Sequence, residues 1–238
     1  MPSLSIEGQA LCSRITDAAK AVEVPAHLER AGNWDDLATI RQHGTNLTYW
    51  PRRLDPHIAK WMAELGPALI PDFDADGGIT EVIDAWYQHT ESMTAELPES
   101  GWLVDDVLDQ LMGWVRITKA LLARVGLEWV DTDNCMKFHT DQVHIRLLCT
   151  YVGPGTWWVP NHLANRDRLG LRGDNDDIVP TLEAIREIPT GAIALLKGDA
   201  FDHTEPGIIH RSPPIAARGL RRLLLRIDDP QSCGCGTC

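Results

Sequence analysis

Residues 135–160 read CMKFHTDQVHIRLLCTYVGPGTWWVP, and this stretch decides the fold. His139 and Asp141 stand two residues apart at its start. The apolar run RLLCTYV follows, then a Gly153-Pro154-Gly155 break, then the pair Trp157-Trp158. Short apolar runs bounded by Gly and Pro are strand signals. On an extended strand, residues i and i+2 point to one side. The His139 imidazole and the Asp141 carboxylate are therefore expected to face one way, with Thr140 facing the other.

Downstream the same texture continues. AIALLKG (192–198), GIIH (207–210) and RRLLLRID (221–228) are short and β-rich, and so is LEWV (127–130) just upstream. GIIH ends in His210. Two histidines and one carboxylate on one face form the ligand set typical of non-haem Fe(II), which leaves positions open for a co-substrate and dioxygen. The plainer reading is a pair of satisfied core histidines.

Upstream the periodicity changes to 3–4. Residues 8–23, 33–42, 55–65 and 80–96 read as helices, and 103–125 as the strongest, stopped by Gly126. Asn33 and Asp55-Pro56 are helix-start signals. Helices first and strands later suggest an α+β protein with a helical layer on a β-core. We read 1–238 as one compact unit, with a mainly helical part (1–126), a β-core (127–228) and a Cys-rich tail (229–238).

The order of these signals resembles the Fe(II)/2-oxoglutarate-dependent oxygenases: HxD, strand, long insert, Gly-led strand, distal His, then a basic residue on the next strand. That resemblance implies a double-stranded β-helix, the jelly-roll or cupin-like fold. It implies Fe(II) on His139, Asp141 and His210, and 2-oxoglutarate with its far carboxylate on Arg222, with Arg226 and Tyr151 as further candidate co-substrate contacts. Arg222 and Arg226 are four apart and share a strand face, while Arg221 points the other way. A guanidinium is a natural bidentate partner for a carboxylate. Tyr151, Trp157 and Trp158 are expected to line the pocket, or alternatively to pack in the core.

The phrases CMKFHTD, RLLCTYVGPGTWW, ALLKG, HRSPP and RRLLL are together similar to the bacterial domain of unknown function family 1826, over most of the chain. That resemblance implies a bacterial origin and a link to zinc or metal homeostasis. It leaves a second reading open: a non-catalytic Zn(II)-binding protein using the same cluster and a metal-handling partner protein. Strand parity would put Cys135 on the face of His139 and Asp141, where a thiolate would favour zinc over iron; the alternative is an inert buried thiol. Cys233, Cys235 and Cys238 have a C-x-C-x-x-C spacing that suits a second, soft metal ion, or else form a plain reducing tail.

Composition narrows the classes. The net charge of −12 opposes a phosphate backbone, so no nucleic-acid partner is expected. The start MPSLSIEGQALCSRITDAAK has no signal-peptide character, and no run approaches a membrane span. A cytoplasmic enzyme acting on a small molecule or peptide is the expectation, with its six cysteines mostly reduced. No nucleophile elbow, phosphate-binding loop or dinucleotide fingerprint is present.

Overall fold

The computed structural model describes residues 27–28, 31–133, 135–170 and 173–230. In chain order it contains β1 (His27–Leu28), α1 (Trp34–Leu37), β2 (Leu47–Trp50), α2 (Pro56–Leu65), β3 (Phe73–Gly78), α3 (Ile79–Glu96) and α4 (Gly101–Thr118). Then follow β4 (Leu122–Val130), β5 (Ile145–Val152), β6 (Trp157–Val159), α5 (Asn175–Ile178), β7 (Arg186–Glu187), β8 (Ile193–Lys197), β9 (Ile209–Arg211) and β10 (Arg222–Asp228). The helix expected over 8–23 lies outside the described residues. Among those residues, no helix is long and apolar enough to cross a membrane.

Two sheets carry the architecture. The large one runs β1-β2-β8-β5-β10-β4-β3, and the small one β7-β6-β9. An isolated antiparallel bridge between His139 and His210 extends the small sheet past β9. From β4 on, the chain passes from the large sheet to the His139 bridge, back to β5, over to β6 and β7, back to β8, over to β9 and back to β10. This winding between two facing sheets, antiparallel apart from the short β1–β2 pair, is a double-stranded β-helix.

Alternation within the strands explains the layering. On β5, Leu147, Cys149 and Tyr151 join the core beneath the helices, while Leu148 joins the core between the two sheets. On β10, Leu223, Leu225 and Ile227 go to the helices and Leu224 to the inter-sheet core. Helices α3 and α4 cover the outer face of the large sheet. The Trp114 indole donates to the Ile145 carbonyl at 3.0 Å, and Trp86 donates to Val104 at 3.2 Å. At Gly113 an added Cβ would lie 2.4 Å from the Trp34 ring, so only glycine lets α1 pack this closely on α4.

The helix read over 103–125 ends early. Helix α4 stops at Thr118, where Lys119 turns left-handed with φ 61°. Leu122–Val130 is strand β4, and Gly126 sits within it, opposite Arg226 and Asp74. The reason is a change of period. Ala123, Val125 and Leu127 are buried at every second position, and the helical stripe overlaps them by coincidence. The part before residue 127 thus also supplies β2, β3 and most of β4, flanking the large sheet on both sides.

Between the helices and the large sheet lies a buried polar knot. Arg52 forms a bidentate pair with Asp106 and also donates to the Gly191 carbonyl at 2.9 Å. Asp106 further accepts from Tyr151 Oη at 2.6 Å and from Gln110 at 2.7 Å. Breaking a buried ion pair by removing one partner typically costs about 3–5 kcal/mol, and an ordinary buried hydrogen bond about 1–2 kcal/mol. Asp106→Ala should lower the unfolding free energy by the larger amount, and Tyr151→Phe by the smaller. Urea denaturation monitored by tryptophan fluorescence checks both.

Candidate metal centre

The centre is assembled by backbone pairing. His139 N donates to His210 O, and His210 N donates to His139 O, each at 3.0 Å. This reciprocal pair brings the two rings to a centroid distance of 4.7 Å. Asp141 arrives from a loop rather than along a strand, because only His139 in this segment is paired as β-structure. The nitrogen and oxygen atoms that His139, Asp141 and His210 offer all lie within 4.8 Å of one another. Asp141 Oδ2 is 3.2 Å from His210 Nε2, and Oδ1 is 3.7 Å from His139 Nε2.

The tautomers follow from the backbone. His139 Nδ1 lies 2.8 Å from Lys137 O, and His210 Nδ1 lies 3.2 Å from Ile208 O. A carbonyl only accepts, so Nδ1 carries the proton in each neutral ring and Nε2 turns a lone pair inward. Burial, reinforced by the neighbouring His210, holds the His139 imidazole below its ordinary pKa. Burial alone would push the Asp141 carboxyl up, but His210 and His139 whenever they are protonated, together with the Arg146 guanidinium, outweigh it and hold it well below the usual range. Asp141 Oδ2 is buried and accepts no well-formed hydrogen bond. Two inward lone pairs and an ionised, under-satisfied carboxylate fit a divalent cation.

Residues with no apparent role in the sequence hold this arrangement. Arg146 on β5 donates to Asp141 Oδ1 at 2.7 Å, and its Nε and Nη2 grip Asp228 Oδ2 at 2.8 and 2.7 Å. Asp141 is thereby divided: one oxygen is held by Arg146, and the other faces His210. Asp199 accepts from Thr140 in a short bond and from Gly207 N at 2.8 Å, while its own N–H donates to Asp141 O at 2.8 Å. It ties the loop of His139 and Asp141 to the segment leading to His210. Gly198 is needed beside it, since an added Cβ would lie 2.2 Å from Val143 O and 2.6 Å from Asp141 O. The one legible signal for Arg146 is a charged residue in an otherwise apolar strand, and Asp228, on a strand with two other charges, carries none.

A cavity of about 110 Å³ opens beside the triad, and His139, His210, Arg146, Thr156, Ser212 and Arg226 are in its wall. Arg222 lies fully buried behind that wall. Its Nη2 donates to Thr150 Oγ1 at 3.1 Å and Thr156 Oγ1 at 3.0 Å, and its Nη1 to Ser212 Oγ at 3.4 Å. Its Nε has no partner. Burial pushes its guanidinium down to about 10, so it stays charged at neutral pH. Arg222 and Arg226 share the inner face as the spacing predicts. Arg221 points outward, stacked on Trp129 and donating to Ala63 O.

Three expectations need correction or placement. Tyr151 does not line the cavity: β5 parity turns it to the helical side, where it binds Asp106 and Gln110. Trp158 packs in the inter-sheet core, and Trp157 stacks with Arg211. Cys135 borders the cavity but sits in a turn with φ 55°, so strand parity with His139 does not apply, and it is not grouped with the three ligands. Cys233, Cys235 and Cys238 lie outside the described residues.

Outer-shell partners of metal ligands typically contribute about 10–100-fold in affinity. Asp199→Ala should weaken Zn(II) binding by that factor, and His210→Ala should remove it altogether. Competition against a chromophoric chelator measures both.

A family model described as a protein of unknown function (DUF1826) matches residues 31–228. No curated protein matches. Among solved structures, the chain is similar to the dioxygenase for auxin oxidation in rice at 12% identity, covering 90% of this chain and 87% of that one with a TM-score of 0.43. It is similar to dioxygenase for auxin oxidation 1 from Arabidopsis thaliana, in a 2-oxoglutarate complex, at 9% identity, covering 85% and 91% with a TM-score of 0.46. It is also similar to HygX from Streptomyces hygroscopicus, with nickel and 2-oxoglutarate bound, at 12% identity, covering 78% and 83% with a TM-score of 0.39. The family match takes in most of the 238 residues, and the chain belongs to the DUF1826 family.

Proposed function

We propose that this protein is an Fe(II)- and 2-oxoglutarate-dependent oxygenase acting on a C–H bond of a small-molecule or peptide substrate. The observation that carries the reading is Arg222. It is a fully buried guanidinium whose hydrogen-bond partners are neutral hydroxyls, with no carboxylate in ion-pair range among the described residues. Two of those hydroxyls, on Thr156 and Ser212, are in the wall of the cavity that also meets His139 and His210. A buried charge left unpaired costs several kcal/mol, so a carboxylate entering the cavity gains a strong partner.

His139, Asp141 and His210 would hold the metal from one side, leaving its other positions toward the cavity. When bound, Fe(II) with 2-oxoglutarate and dioxygen supplies a two-electron oxidation: the substrate C–H becomes C–OH, and 2-oxoglutarate becomes succinate and carbon dioxide. The chain's own residues prepare this. Arg222, set by Thr150, Thr156 and Ser212, receives the distal carboxylate of 2-oxoglutarate. Arg146 keeps Asp141 Oδ1 occupied, so that only Oδ2 is presented to the metal. Leu148 and Leu224 cover the inner end of the site and keep bulk water from it. The zinc-handling alternative accounts for the three ligands but gives Arg222 no work.

Anaerobic addition of 2-oxoglutarate to the Fe(II) protein should produce a visible charge-transfer band. Arg222→Met should weaken 2-oxoglutarate binding about a hundredfold or more while sparing metal affinity. Because it removes an unpaired buried charge, it should leave the thermal midpoint of the ligand-free protein unchanged or higher. No band in the wild type would overturn the reading.

A further inference from the structure

One guanidinium in the cavity wall, that of Arg226, has only a distant and shared carboxylate. Arg226 stands four residues after Arg222 on the same face of β10, about 13 Å further along the strand. Its side chain leans away from Arg222. Its Nη2 is 3.5 Å from where a Cβ on Gly126 would be, and its Nε is 3.9 Å from Asp228 Oδ2. That oxygen already accepts a hydrogen bond from Arg146 Nε at 2.8 Å and lies 2.7 Å from Arg146 Nη2 in an ion pair. Arg226 Nε is buried and makes no hydrogen bond, yet the side chain is 21% exposed and part of the cavity wall.

The other charges around the cavity are accounted for. Arg146 serves Asp141 and Asp228. Arg211 lies against the rings of Phe138 and Trp157, 4.8 Å from each centroid, and donates to Met136 O. Glu128 is on the neighbouring strand, diagonal to Arg226 in the β4–β10 register, but forms no ion pair with it. With Arg222 taken by the co-substrate, Arg226 is the cavity-wall arginine held neither by a close carboxylate nor by a ring face.

We propose that Arg226 receives a carboxylate of the molecule to be oxidised, which makes the substrate class an organic acid. A single carboxylate fits better than a phosphate. Arg226 supplies one positive charge, and the neighbouring Asp228 and Glu128 oppose a dianion about twice as strongly as a monoanion. The identity of the reaction rests on the oxygenase reading; the acid site itself does not.

The test uses the Zn(II)-loaded full chain, with and without 2-oxoglutarate. The probes are acetate, hexanoate, benzoate, phenylacetate and N-acetylglycine, each against its primary amide, followed by saturation-transfer NMR and calorimetry. At least one acid should bind about tenfold or more tightly than its amide. Arg226→Gln should erase that preference, Arg226→Lys should restore part of it, and neither should change 2-oxoglutarate affinity more than about twofold. Equal binding of every acid and amide by the wild type overturns the proposal. So does an acid preference that survives Arg226→Gln, or a loss of 2-oxoglutarate binding in Arg226→Gln as large as in Arg222→Gln. An Arg226-dependent acid preference in a protein that binds no 2-oxoglutarate would leave the acid site standing and overturn the oxygenase reading alone.

Discussion

Strands β5, β8 and β10 are covered on both faces, by helices on one side and by the small sheet on the other. Every side chain on them is therefore committed to one of two interiors. Leu147, Cys149, Leu223, Leu225 and Ile227 fill the helical side, and Leu148, Leu224, Ala194 and Leu196 fill the inter-sheet side. A polar group on such a strand must find a partner or carry a desolvation penalty. The chemistry of the protein is concentrated where that rule is strained.

The two interiors resolve their polar groups differently. On the helical side, Arg52, Asp106, Gln110 and Tyr151 satisfy one another, and burial pushes the Cys149 thiol up to about 11, so it stays protonated and inert. That knot fastens α4 to the sheet. On the inner side, Arg146 is matched by Asp141 and Asp228, but Arg222 and Arg226 are left with hydroxyls or with a carboxylate already in use. Stability alone does not favour such unmatched cations. Under the proposed function they are preorganised partners for anions that arrive from outside, the usual trade between a site and its scaffold.

The three candidate metal ligands show how loops become precise. His139 and Asp141 lie in a segment with almost no regular structure. The reciprocal backbone pair with His210 fixes one end, and Asp199 with Gly198 fixes the other. Each histidine is then oriented by its Nδ1 proton on a carbonyl two residues earlier in its own chain segment. Ring direction, tautomer and carboxylate geometry are all set by the protein's own contacts, which is the condition for a tight site with open positions.

Much of this was legible in the residues alone, wherever the determinant is local. Short apolar runs bounded by turn residues marked β5, β8 and β10; Asp55-Pro56 marked the start of α2; the ordered His139, Asp141 and His210 marked the cluster that the fold brings together. Parity also placed Arg222 and Arg226 together and Arg221 apart. Other features waited on the fold. A helical stripe and a strand pattern overlap at Leu122, and only the pairing partners of β4 decide between them. Arg146, Asp199 and Asp228 meet the ligand loop through contacts distant in sequence. Tyr151 went to the wrong side for the same reason. Alternation says that neighbouring residues face opposite ways, but when both faces of a strand are buried it cannot say which face holds the site.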